Sequence, residues 1–152
     1  MKFYEYLIEK GKNEGIEKNI VGAVVVNEKN EILILTRKED DFMGGIDELP
    51  SGNIESNEDI YSALTRELKE ETNLDLASII SYINTFDYAS SSGKRSRQYN
   101  FSVRVNKIED IKLTEHSKYQ WLNIEEAREN RNITDEVKNI LEIYNFNMRK
   151  RS

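Results

Sequence analysis

Cysteine is absent from all 152 residues, which removes disulfides, zinc–thiolate sites and thiol nucleophiles from consideration. Long apolar runs are missing too. The opening stretch "MKFYEYLIEKGKNEG" carries charges every few residues, so it holds no apolar core of signal-peptide length, and no later segment approaches a membrane span. Basic excess is missing: the formal net charge of −6 argues against a general binder of nucleic acid or membrane surface, which needs a basic face. Proline occurs once, at Pro50, where it fixes one φ angle beside Ser51-Gly52. Histidine also occurs once, at His116, in a stretch that reads as a surface loop. Repeats, low-complexity tracts and linkers are lacking, so residues 1–152 are expected to form one cytoplasmic domain with a real core.

Residues 3–8 are apolar enough to pack as a short helix or strand. "IVGAVVVN" (20–27) and "EILILTR" (31–37) are β-branched runs separated by a polar tetrad, which predicts a β-hairpin with largely buried strands. "KEDDFMGGIDELPSGN" reads as a loop punctuated by Gly44, Gly45, Pro50 and Gly52. A helix is expected from Asn57 or Glu58 to Thr72. Two strands follow, at 78–88 and 97–105, joined by the polar link "ASSSGKRS", which looks mobile. A short strand at 118–124 runs into a helix start, and Thr134 is a plausible N-cap for a last helix that puts Val137, Ile140, Leu141 and Tyr144 on one face. Strands and helices are mixed, which predicts an α/β sandwich with a mixed β-sheet.

The central helix poses a physical problem. Ile60, Leu64 and Leu68 make one apolar stripe, while Glu67, Glu70 and Glu71 crowd into about 100° of arc beside it. Arg66 and Glu70 satisfy the i,i+4 pairing of a solvated face. Glu67 and Glu71 violate it, at a cost of about a few tenths of a kcal/mol, and the helix C-terminus disfavours anions further. A divalent cation would remove the repulsion. An oxygen-only set suits Mg²⁺ or Mn²⁺, ions that share their coordination with water and substrate phosphates.

The spacing Gly52, five residues, Glu58, seven residues, then "RELKEETNL" (66–74) resembles the Nudix box, the signature of the Nudix hydrolases, at eight of its nine defined positions. The exception is Asn73, where that family has Gly. The place corresponds to a helix C′ position that wants a left-handed conformation, and Asn is the next-best residue there. Ser51 stands where the family usually has a second Gly before the box. The likeness covers about residues 20–124, with its specific part confined to the box at 52–74.

The resemblance implies a Nudix-type α/β/α sandwich that hydrolyses a phosphoanhydride in a nucleoside diphosphate-linked substrate. It implies Mg²⁺, with Mn²⁺ as a substitute. It makes Glu67, Glu70 and Glu71 metal ligands, Glu67 being ligand, base or both. Ser51 would offer its backbone carbonyl to the metal and Glu115 a loop carboxylate. Arg66 would orient a carboxylate through a bidentate pair. Glu58 and Gly52 would support that inner set, and Arg37 would sit near substrate phosphates. Partners are then a small-molecule nucleotide and at most a second copy of the chain, as monomer or homodimer.

Outside the box, Lys94, Arg95 and Arg97 read as a solvated loop. Trp121 and Tyr99 read as core, while Tyr88 and Phe42 are free to stack on a base. A nucleoside triphosphate is the expected substrate. The alternatives are ADP-ribose or another nucleotide sugar or dinucleotide, and a non-catalytic module that senses a nucleotide. Lack of proline after Pro50 counts against an ADP-sugar substrate, and lack of cysteine against isopentenyl diphosphate isomerase chemistry.

Overall fold

The computed structural model describes residues 2–108 and 110–151. In chain order the elements are α1 (Phe3–Asn13), β1 (Lys18–Val25), β2 (Ile32–Arg37), β3 (Asp47–Glu48), β4 (Ser51–Asn53), α2 (Ile60–Thr72), β5 (Leu76–Ala89), β6 (Arg95–Val105), β7 (His116–Leu122), α3 (Ile124–Glu129) and α4 (Asp135–Arg151). Two sheets form, with strand orders β4-β1-β6-β5 and β3-β2-β7. The first is mixed, as expected: β1 runs parallel to β6, while the β1–β4 and β5–β6 pairs are antiparallel.

Helices cover both faces of this β-layer. Val21, Ala23, Tyr99, Phe101, Leu33 and Leu35 face one core with Leu64 and Leu68 of α2. Val24, Ile32, Ile34 and Ile83 face a second core with Ile140 and Leu141 of α4. Strands buried on both faces have no polar side, which is why β1 and β2 read as unbroken apolar runs.

The expected hairpin between those two runs does not form. β1 and β2 lie in different sheets and touch through one isolated bridge, Val26 to Ile32. Both edges of β1 are already taken, by β4 on one side and β6 on the other, so no edge remains for β2. The true long hairpin is β5–β6. Its polar link closes as a hydrogen-bonded turn, with Ser90 N donating to Lys94 O at 2.9 Å and Gly93 at φ 82°.

Helix α2 starts later than its sequence suggests. Asn57 has φ 70°, outside helical space, and Asp59 is the N-cap, accepting from Ser62 N at 2.7 Å. Its end fulfils the expectation: Asn73 is left-handed at φ 68°, its N–H donates to Lys69 O, and its side chain donates to Asp110 O at 3.1 Å. Asn73→Ala should therefore cost about 1 kcal/mol in urea unfolding, because a Cβ without a local polar group is strained there, while Asn73→Gly should stay within about 0.5 kcal/mol. Thr134 caps α4 as expected, its Oγ1 accepting from Val137 N at 3.3 Å. Among the described residues no helix is long and apolar enough to cross a membrane.

Candidate active site

Strand β4 is the edge of its sheet, and its hydrogen-bond alternation organises the site. Ala23 N donates to Pro50 O and Ile54 N to Asn19 O, so Ser51 and Asn53 turn their own N–H and C=O groups away from β1. Those outward groups meet α2. Ser51 N donates to Glu71 Oε1 at 2.8 Å, and Asn53 O accepts from Arg66 Nη2 at 2.8 Å. Gly52, between them, faces Glu67. A Cβ built on Gly52 would fall inside the Glu67 carboxylate, so this glycine is required for close approach and not for a special φ.

Arg66 binds the box together. It clamps Glu58 with two bonds, Nε to Oε2 at 2.7 Å and Nη2 to Oε1 at 2.8 Å. Its Nη1 donates to Glu67 Oε1 at 2.7 Å and to Glu70 Oε2 at 3.3 Å. The bidentate pair expected of Arg66 is thus with Glu58, and the ordinary i,i+4 contact with Glu70 exists beside it. Glu58 is held down to about 2 by this guanidinium, with help from the Glu55 N–H. Because its unfolded value is 4.5, Glu58 adds stability above pH 4.5 that is lost as pH falls toward 2. Glu58→Gln should flatten the acid limb of a melting-temperature profile in that window.

The three box glutamates meet different fates. Glu71 is buried, its side chain only 9% exposed, and burial pushes it up to about 9, against the pull of the Ser51 N–H and with the charges of Glu67, Glu48 and Glu115 adding to the rise. Glu67 is raised by burial as well, while Arg66 opposes the shift. Glu70 is 60% exposed, and its side chain meets Arg66 Nη1 at 3.3 Å. Glu71, Ser51, Gly52, Glu115 and Arg37 line one cleft of about 620 Å³.

His116 is not a surface residue. It is 6% exposed, and its Nε2 lies 2.8 Å from Glu48 Oε2. Its Nδ1 is the one buried side-chain polar atom without a hydrogen-bond partner among the described residues, and it stands 3.8 Å from Glu71 Oε2. The expectation failed because a residue next to a loop glutamate was read as loop, whereas β7 begins at His116 and turns it inward. Glu48 was missed altogether. It is shared between His116 and Arg37, whose Nε donates to Glu48 Oε1 at 3.0 Å while Nη1 donates to Phe42 O at 2.8 Å. A carboxylate directly before Leu49-Pro50 was the available signal.

Of the remaining candidates, Tyr99 is core and Trp121 packs against it. Tyr88 and Phe42 line the cleft. Arg97 is not solvated: it pairs with Asp87 at 2.6 and 2.9 Å and with Glu14 at 2.7 Å, pinning the β5–β6 hairpin to the end of α1.

The donor set suits a hard divalent cation. Every candidate ligand is oxygen, and the carboxylates crowd closely enough to raise one another. No three His, Asp or Glu side chains among the described residues already converge as a cage.

The NUDIX domain model matches residues 17–142. Nudix hydrolase 2 of Arabidopsis thaliana is 41% identical over 56 residues, 36% of this chain and 20% of that protein. The 8-oxo-dGTP diphosphatase of Proteus vulgaris is 38% identical over 58 residues, 38% of this chain and 52% of that protein. The matched stretches thus span about a fifth and about half of these two relatives. Among solved structures, the MutT protein from Methanosarcina mazei Go1 superposes with TM-score 0.74 at 23% identity, covering 91% of this chain and 99% of that one. An Ap4A hydrolase of C. elegans gives TM-score 0.71 at 21% identity, covering 88% and 99%. At these identities the two structures speak for the fold.

Proposed function

The chain belongs to the Nudix family, its NUDIX domain covering residues 17–142, and from that premise we propose that it hydrolyses a phosphoanhydride bond in a nucleoside triphosphate, releasing pyrophosphate and the monophosphate. The observation that carries this reading is the seating of two carboxylates against the β4 edge: Glu71 on the Ser51 N–H and Glu67 over Gly52. The name of one relative supports it, since the Proteus protein is an 8-oxo-dGTP diphosphatase.

Members of the family generally use divalent metal ions, and we assign Mg²⁺ here, with Glu67, Glu70, Glu71 and the Ser51 carbonyl to hold it and Glu115 across the cleft. When bound, such an ion lowers the pKa of the attacking water and offsets charge on the phosphate oxygens. The chain's own groups do the rest. Arg66 fixes Glu67 and, through Asn53 O, the edge of β4. Glu67, whose affinity for a proton is raised by burial, is placed to accept one from the attacking water. Arg37, oriented by Glu48 and Phe42 O, lines the cleft where a phosphate chain would lie.

The test is a substrate panel of nucleoside triphosphates, ADP-ribose, dinucleoside polyphosphates and nucleotide sugars, each with Mg²⁺ and with Mn²⁺, products being separated by ion exchange. Turnover of triphosphates to monophosphate and pyrophosphate supports the reading. Turnover confined to ADP-ribose or nucleotide sugars would overturn the substrate, and metal-independent turnover would overturn the assignment of the carboxylates.

A further inference from the structure

The cleft that Glu71 lines also reaches Ile20, Gln98 and Phe86 of the first sheet, where polar side chains lie that no phosphate chemistry explains. One row across the four strands reads Asn53, Ile20, Gln98, Phe86, and the next reads Ser51, Gly22, Asn100, Asn84. Asn100 is fully buried and Gln98 is 9% exposed, so two carboxamides sit where β6 would otherwise carry apolar residues. Gly22 makes room for them: a Cβ there would fall on both Asn100 Oδ1 and Gln98 Nε2.

Their polarity is fixed by the backbone. Asn100 Nδ2 donates to Asn84 O at 3.5 Å and to Asn84 Oδ1 at 3.1 Å. A main-chain carbonyl only accepts, so Asn100 turns its amino group to Asn84 and its Oδ1 to Gln98. Gln98 Nε2 donates to that Oδ1 at 2.8 Å. Gln98 Oε1 is then the end of the chain, and Gln98 lines the cleft. The same cleft carries Ile20 on β1 and Phe86 and Tyr88 on β5, the two rings with centroids 5.9 Å apart. Two strand spacings, about 10 Å, separate β6 from the β4 edge where Glu71 is held. That is the scale of a nucleoside between its base and its diphosphate.

We propose that Gln98 reads the base of the substrate, offering Oε1 to an exocyclic amino group on a heterocycle that packs against Phe86 and Tyr88. The inference rests on the nucleotide substrate proposed above and adds the class of base. An amino group puts a hydrogen in front of Oε1. An oxo group at the same place puts a lone pair there, which leaves the buried amide unpaired. The site therefore selects adenine over hypoxanthine and cytosine over uracil.

The experiment compares ATP with inosine triphosphate, and CTP with UTP, for the wild type, Gln98→Met and Gln98→Asn. Methionine keeps the volume without the amide; asparagine keeps the amide but withdraws its oxygen from the cleft. The wild type should favour the amino member of each pair about 10-fold in kcat/KM, mainly through KM, and both variants should erase that ratio. Binding of AMP and IMP by calorimetry runs alongside. A wild type that turns over both members equally, or a ratio that survives in both variants, overturns the role of Gln98 and leaves the hydrolytic reading standing. A base preference in binding that Gln98→Met abolishes, without turnover of any triphosphate, sustains Gln98 and overturns the reaction. Neither turnover nor binding preference overturns both.

Discussion

Glu71→Gln is expected to lower metal-dependent turnover by about 10²–10³-fold, the usual cost of removing one preorganised electrostatic partner, and at the same time to raise the melting temperature of the metal-free protein at pH 8. The second half of that result follows from the site's geometry. The folded value of Glu71, about 9, lies above its unfolded 4.5, so the unfolded chain gives up this proton first. The folded state then loses stability steadily as pH rises from 4.5 toward 9, and the neutral form is the one the fold prefers. Glutamine copies that form. Its oxygen still accepts from Ser51 N, as Glu71 Oε1 does at 2.8 Å. Its amino group faces His116 Nδ1, which lies 3.8 Å from the present Oε2 and has no hydrogen-bond partner among the described residues. The variant should therefore melt a few degrees higher in EDTA at pH 8 and match the wild type near pH 4. Added Mg²⁺ should raise the wild type's melting temperature and leave the variant's almost unchanged. A variant that hydrolyses at near-normal rate, or that melts lower than wild type at pH 8, would show that Glu71 is a structural acid and not a site held ready for a cation.

Much of this was legible in the sequence because it depends on spacing along one helix. Leu64 and Leu68 could be placed in the core from periodicity, and Asn73 in a left-handed cap once the box showed it standing in place of a glycine. A bidentate pair for Arg66 was implied by the resemblance to the Nudix box, although its partner, Glu58, was not. The residues that sequence reasoning missed or misplaced owe their positions to strand pairing across long separations. Glu48 and His116 meet although 68 residues separate them, because β2 lies between β3 and β7 and brings both to one end of the second sheet. Gln98 and Asn100 alternate with Tyr99 and Phe101 on a strand that reads as an ordinary core strand with polar interruptions. Only the register with Gly22 and Asn84 shows that the interruptions share a face. The failed hairpin has the same origin. Adjacency in sequence favoured pairing β1 with β2, but a central strand offers only two edges, and those of β1 are taken by β4 and β6.

Gly52→Ala is expected to reduce turnover by about 10²-fold while leaving unfolding free energy within about 1 kcal/mol of wild type. The reasoning separates space from backbone conformation. Gly52 has no positive φ, so alanine meets no torsional strain. What the new methyl meets is the carboxylate of Glu67, the far end of a flexible side chain, and that group can swing aside at little cost to the fold. In swinging it must leave Arg66 Nη1, now 2.7 Å away, and vacate the position between the β4 edge and α2 from which it is proposed to act. Shortening the acid should give the space back. Gly52→Ala combined with Glu67→Asp should be more active than the product of the two single defects predicts, a coupling that a double-mutant cycle reads directly from kcat/KM. If the two losses simply multiply, the methyl acts through the strand and not through the glutamate. In that case the close approach of Gly52 to Glu67 is a packing feature, and the box glycine serves the path of β4 alone.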